Sequence, residues 1–208
     1  MLAATVAPSS TVHRIEGASM ENEPPEVRRR TLLQAAAGLA AAAPVTMRSA
    51  RAAAIPPAAT GKPGDFDFLS GEWKIRHRQM KNGAWDTFEG EATVIGLLGG
   101  VASIEELRIP ARKFSGMGLR LLDLERRLWA DYWVNARSGA LTPPPAWGSF
   151  VDGLGLWDSD DTDEADRPII VRGAWDQITP TSCRWYQATS RDDGKTWQES
   201  WVMDWRRA

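Results

Sequence analysis

The sequence predicts an all-β protein, an antiparallel barrel of about eight to ten strands that follows a segment with no core of its own. Three observations carry this. All 11 tryptophans fall between Trp73 and Trp205, and Trp buries a large rigid surface that is costly to leave in water. From Gly71 onward short runs alternate apolar and polar residues, the period of a half-buried strand. Gly, Pro, Asp and Ser separate the runs, and neither a long amphipathic helix nor a repeat of fixed period is visible.

In chain order, the first element is a leader. Arg28-Arg29-Arg30-Thr31-Leu32-Leu33-Gln34 precedes an Ala-rich run from Ala35 to Ala43, then Pro44. Ala50-Arg51-Ala52 offers a small-residue cleavage site. This order of charge, apolar run and cleavage site resembles a bacterial twin-arginine export signal. Residues 1–52 are therefore expected to be a signal peptide, with the mature protein periplasmic or secreted. Met20 as the true start would give a more compact leader. The apolar run is shorter than the ~20 residues of a membrane span, so no span is expected after cleavage. Residues 53–64, rich in Ala, Pro and Gly, read as a flexible linker. Residues 65–208 form the barrel domain.

Removing the leader takes away six Arg and four Glu, leaving 19 basic and 23 acidic residues, a formal net charge of −4. The remaining basic residues do not cluster, which argues against a nucleic-acid partner. Cys183 is the single cysteine, so no intramolecular disulfide exists, and a small buried apolar role is expected for it.

In the first strand, Gly71 to Gln79, Trp73, Ile75 and His77 share one face, and Glu72, Lys74, Arg76 and Arg78 the other. Lys81-Asn82-Gly83 makes a turn. Further strands are expected at Thr87–Leu97, Val101–Ile109, Gly116–Asp123, Leu128–Asn135, Ser149–Trp157, Pro168–Asp176, Cys183–Ser190 and Trp197–Trp205. Gly90, Gly116, Gly118, Gly153 and Gly155 fall inside these runs and suit the bends that close a small barrel. Asp158 to Asp166 is an acidic run. It lacks the glycine and closing Glu of a calcium loop and reads as a solvated hairpin tip.

Two motifs carry structure. Ser190-Arg191-Asp192-Asp193-Gly194-Lys195-Thr196-Trp197 matches the S-x-D-x-G-x-T-W Asp-box pattern. In such a hairpin Asp192 bonds turn amides, Gly194 takes positive φ, and Trp197 packs the hairpin onto the core. Gly71-Glu72-Trp73 resembles the G-x-W start of lipocalins, where the Trp closes one barrel end beneath an Arg of the last strand. Arg206 and Arg207 follow the last strand here and could make that cation–π contact.

Strand parity gathers the remaining candidates. Trp129, Asp131, Trp133 and Asn135 share a face; so do Cys183, Trp185, Gln187 and Thr189, and so do Trp197, Glu199, Trp201, Met203 and Trp205. If these faces point inward, Trp129, Trp133, Trp185 and Trp201 line a cavity, with Gln187 and Asn135 as ligand-binding polar groups. A solid core fits the same pattern. Candidate acids or bases are Glu199, His77 and Asp131; a carboxylate buried among tryptophans has a raised pKa. One His and one Cys cannot build a structural zinc site, so no metal is expected.

The chain resembles an uncharacterised bacterial family with a lipocalin-like (calycin) barrel. The matching stretches are Phe66-Asp67-Phe68-Leu69-Ser70-Gly71-Glu72-Trp73, Ile104-Glu105-Glu106, Phe114-Ser115-Gly116-Met117 with Leu119-Arg120, Tyr132-Trp133, Arg184-Trp185 with Gln187-Ala188, and Trp197 through Asp204. The resemblance implies the fold and carries no catalytic residues. Haem-binding calycin-like barrels use a histidine late in the chain. None stands there in this sequence, so no haem or other cofactor is expected. The function expected is binding of a small apolar or aromatic molecule in a Trp-lined cavity. The alternatives are an isomerase, lyase or hydrolase of the same shape using Glu199 or His77, and an envelope interaction protein with a solid barrel. The pattern leaves the oligomeric state open.

Overall fold

The computed structural model describes residues 57–208. The export signal and the Met20 start lie outside the described residues. Ten strands follow one another: β1 (Gly71–Lys81), β2 (Ala84–Leu97), β3 (Ala102–Ile109), β4 (Phe114–Asp123), β5 (Leu128–Asn135), β6 (Ala146–Val151), β7 (Leu154–Thr162), β8 (Pro168–Asp176), β9 (Ser182–Ser190) and β10 (Gln198–Arg207). Each pairs antiparallel with the next, and β10 returns to β1, with Ile75 opposite Trp205, to close an up-and-down barrel. Closure gives every strand a partner on both sides, though β5 pairs β6 only over Trp129–Asp131. The helical elements among the described residues are single 3₁₀ turns at Asp67–Leu69, Leu98–Gly100 and Pro110–Arg112. No helix among the described residues is long and apolar enough to cross a membrane.

The all-β barrel expected from the sequence is the fold observed. The expected Ser149–Trp157 run is in fact parts of two strands, β6 and β7. Asp152 and Gly153 form the turn between them, with φ of 50° and 79°. Both angles lie in the left-handed region that a type I′ hairpin needs. Gly153 is therefore a turn residue and not a bend within a strand. Asn82 and Gly83 make the same kind of turn between β1 and β2, with φ of 51° and 80°.

The pairing register separates inner from outer residues. Trp73, Ile75, His77 and Gln79 of β1 face inward, as the alternation predicts. At the end where β1 begins, the barrel is sealed by aromatics. Phe66 packs against Trp129 at 4.9 Å, Phe150 at 5.1 Å and Trp157 at 5.6 Å between ring centroids. Trp175 meets Trp205 at 5.3 Å, and Trp205 meets Trp73 at 5.9 Å. Each such pair adds about 0.5–1.5 kcal/mol beyond the area it buries. Trp73 donates its indole N–H to the Leu69 carbonyl at 2.6 Å. The Arg207 guanidinium lies 4.4 Å over the Trp73 ring and donates to the Phe68 and Ser70 carbonyls. Arg207, and not Arg206, makes the cation–π closure.

Inner-face glycines make room for these rings. A Cβ on Gly155 would stand 2.5 Å from Phe150 and 2.7 Å from Trp157, and one on Gly116 would overlap Trp133. Space for tryptophan, more than strand bending, explains them.

Residues 57–64 depart from the expected flexible linker. Gly61 is buried and donates to the Arg127 carbonyl at 2.8 Å, Thr60 Oγ donates to the Phe150 carbonyl at 2.8 Å, and Gly64 donates to the Gly100 carbonyl at 3.0 Å. The segment is stitched across the sealed end, because the turns there leave carbonyls that need donors.

Candidate functional site

The other end of the barrel differs in kind. Trp133 of β5, Trp185 of β9, Trp201 of β10, Phe88 of β2 and Phe114 of β4 all face inward, yet all are only half-buried. The tryptophans of the sealed end are fully buried by contrast. Trp185 and Trp201 meet edge to face at 5.9 Å and 90°. Trp133 lies nearly parallel to Phe114 at 6.5 Å. Gln187, opposite Trp201, donates to Ser200 Oγ at 3.3 Å.

One wall of this mouth is a stack of three groups. The His77 ring lies 4.7 Å from Phe88 and within 4° of parallel, and the Arg112 guanidinium sits 3.3 Å over the same Phe88 ring. Arg112 comes from the turn between β3 and β4. It donates to Gln79 Oε1 at 3.0 Å and to Asp86 Oδ2 at 2.6 Å. His77 Nδ1 accepts the Trp201 indole N–H at 3.2 Å. Burial, and then the nearby Arg112 charge, pull the His77 pKa down to about 3. His77 is thus neutral at physiological pH, and its Nδ1 lone pair is occupied.

Between mouth and sealed end lies a buried ion pair. Arg120 of β4 donates to Glu105 Oε2 of β3 at 2.5 Å, and its Nε stands 3.8 Å from Asp131 Oδ1 of β5. Burial works against the Arg120 charge, but Glu105 and Asp131 outweigh it and raise its pKa. Breaking such a pair from one side typically costs about 3–5 kcal/mol, because a charge is left buried alone. Cys183, buried nearby, has its thiol pKa pushed up to about 12, by burial first and by Glu105 next. That is the inert small residue the sequence suggests.

The sequence-derived candidates divide. Trp133, Trp185, Trp201 and Gln187 all lie on the inner face of the mouth, Trp201 touching Trp185 and His77, and Trp133 stacking on Phe114. Asp131 also faces inward, one layer deeper, opposite Arg120. Asn135 lies at the rim, where its Oδ1 accepts the Arg137 amide at 2.9 Å and shapes the β5–β6 loop. Trp129 is a correction. It is fully buried in the sealed end, with its indole N–H on Asp65 Oδ2 at 3.1 Å, because its register partner Gly148 lies in the layer nearest the plug.

Glu199 is the second correction. A β-bulge between Glu199 and Trp201 shifts the register, so Glu199 pairs with Ala188 and shares the outer face with Arg184. Its carboxylate lies 3.6 Å from Arg184 Nη1. The inserted residue, Ser200, breaks the period-two alternation on which the shared face with Trp201 rested. Trp197 goes outward with Glu199. It packs on the outer surface under Arg172 at 3.8 Å and not on the core. The rest of the Asp box is as expected: Asp192 accepts from the Thr196 amide at 2.9 Å and hydroxyl at 2.6 Å, and Gly194 has φ 82°. These bonds, Thr196 foremost, hold the Asp192 pKa at about 2.

Sequence reasoning missed Arg120, Glu105, Phe88 and Arg112. Gly116, Gly118, Arg120 and Leu122 do share one parity, but a lone arginine there reads as solvent-facing. Among the described residues no group of three or more His, Cys, Asp or Glu side chains could hold a metal ion.

No family model matches the sequence, and no curated protein matches it. Among solved structures, a redesigned β-barrel aligns over 71% of this chain and 98% of its own, at 12% identity and a TM-score of 0.39. A protein of unknown function from the DUF3598 family of Nostoc punctiforme aligns over 74% of this chain and 52% of its own, at 11% identity and a TM-score of 0.40. This chain thus spans about half the length of the Nostoc protein.

Proposed function

We propose that the barrel binds a small, flat, apolar or aromatic molecule in its open half. One contrast carries this reading: inward aromatics are sealed at one end of the barrel and half-exposed at the other. A barrel capped at both ends would bury both sets alike. The ligand would lie against Trp133, Trp185 and Trp201, with Gln187 and the rim around Asn135 orienting it. The neutral His77, whose Nδ1 already accepts from Trp201, and the outward Glu199 favour binding over acid–base catalysis. We assign the barrel to the lipocalin-like class on Gly71-Glu72-Trp73 with Arg207 laid over Trp73. The Arg28-Arg29-Arg30 leader supports export by the twin-arginine route to the periplasm or beyond.

Titration of intrinsic Trp fluorescence with naphthalene-type and lipid-like probes tests the binding reading. Saturable quenching or a spectral shift is expected. No response to any probe would count for the solid barrel. Expression in a host with and without a functional twin-arginine translocase, followed by fractionation, tests export; equal export without the translocase rules that route out.

A further inference from the structure

The centre of the barrel specifies the chemistry of the ligand's inner end, a deduction that rests on the binding reading above. Arg120 is nine-tenths buried or more, with only 6% of its side chain exposed. Its guanidinium bends over Gly118: a Cβ there would stand 3.3 Å from Arg120 Nη2. Gly118 is the register partner of Trp133, so the guanidinium rises from its own layer into the Trp133 layer. Below it lie the rings of Phe66 at 5.0 Å and Trp175 at 5.5 Å. The charged plane therefore lies between the aromatics of the sealed end and the Trp133 layer, and would be the floor of a site in the other half.

Only part of that plane is used. Nη2 bonds Glu105, but Nη1 and Nε have no hydrogen-bond partner, nor has the hydroxyl of Ser103, the residue opposite Arg120 on β3. Buried donors without acceptors are costly, and a ligand oxygen at this floor would relieve that cost. The charge is a different matter. Glu105 at 2.5 Å and Asp131 at 3.8 Å already offset the single positive charge. A ligand carboxylate would bring a third negative group to one guanidinium. A neutral acceptor brings the oxygen without the charge.

We infer that the site takes an aromatic molecule whose inner end carries an uncharged hydrogen-bond acceptor, a ketone, aldehyde or quinone carbonyl, received by the Arg120 guanidinium. The aromatic body stacks among Trp133, Trp185 and Trp201, and the carbonyl points to the floor.

Three matched probes test this by calorimetric titration: 2-acetylnaphthalene, 2-ethylnaphthalene and 2-naphthoate. The ketone is expected to bind about tenfold tighter than the hydrocarbon, the effect of one hydrogen bond to a charged donor, and at least as tightly as the carboxylate. The double variant Arg120→Gln, Glu105→Gln removes one positive and one negative charge together, so the net charge of this layer is unchanged. It should lose the ketone preference and keep the hydrocarbon affinity. If that variant does not fold, Arg120→Lys removes the planar fork at constant charge and should narrow the preference. Equal binding of ketone and hydrocarbon, tightest binding of the carboxylate, or a ketone preference undiminished in either variant overturns the inference while leaving the binding reading standing. Failure of all three probes to bind overturns the binding reading, and the inference with it.

Discussion

His77 shows how far one residue's setting departs from its type. An imidazole in water titrates near 6.5. Here the ring is fully buried between Phe88 and Trp201, and its pKa falls to about 3. The unfolded chain therefore binds a proton between those two values that the folded chain refuses. Stability from this group is fully present above pH 6.5 and is lost as pH falls toward 3. Between pH 7 and pH 5 the loss is about 2 kcal/mol. Urea denaturation of His77→Gln at the two pH values should show that much less acid destabilisation than the parent; equal slopes would mean that His77 is protonated in the fold. The inward position of His77 follows from β1 alternation alone. Its neutrality depends on Phe88 and Arg112, which come from β2 and from the turn after β3.

At the scale of elements, a single inserted residue in β10 decides which side chains meet. Period-two counting puts Glu199 beside Trp201 on one face. Ser200 bulges, and Glu199 turns outward to Arg184. Glu199→Gln is expected to leave ligand affinity unchanged and stability within about 0.5 kcal/mol, since Arg184 keeps its paired bonds to Asp176 at 2.6 and 2.8 Å. A large loss of affinity would place Glu199 in the site. Hairpins were easier to read. Asn82-Gly83 announces itself, whereas Asp152-Gly153 hides inside a long apolar run, because Phe150, Val151, Leu154 and Leu156 look continuous across it. A bulge has no comparable signature, since nothing about Ser200 as a residue type demands one.

Across the whole molecule, the inward aromatics divide into a fully buried set and a half-buried set, with the charged layer at Arg120 between them. The division predicts opposite outcomes for tryptophans that look alike in the sequence. Trp129→Phe should lower stability by about 1–3 kcal/mol, through the lost indole bond to Asp65 and imperfect repacking, and leave probe affinity unchanged. Trp201→Ala should weaken probe binding by about tenfold or more. Paired urea and fluorescence titrations check both, and a reversal of the two effects would invert the assignment of sealed and open ends.

The sequence by itself determined the all-β barrel, the strands other than the β6–β7 pair, the inward set on β1 and the Asp-box turn, because alternation and turn chemistry act between residues close along the chain. The tertiary structure decided which tryptophans are fully buried and which stay half-buried. It also bent Arg120 over Gly118 toward Glu105, and it set the face on which Glu199 falls. Those outcomes depend on barrel register, on a bulge, and on partners brought from other strands by closure. No local pattern encodes them, since the energies that select them arise only when the strands are packed around one interior.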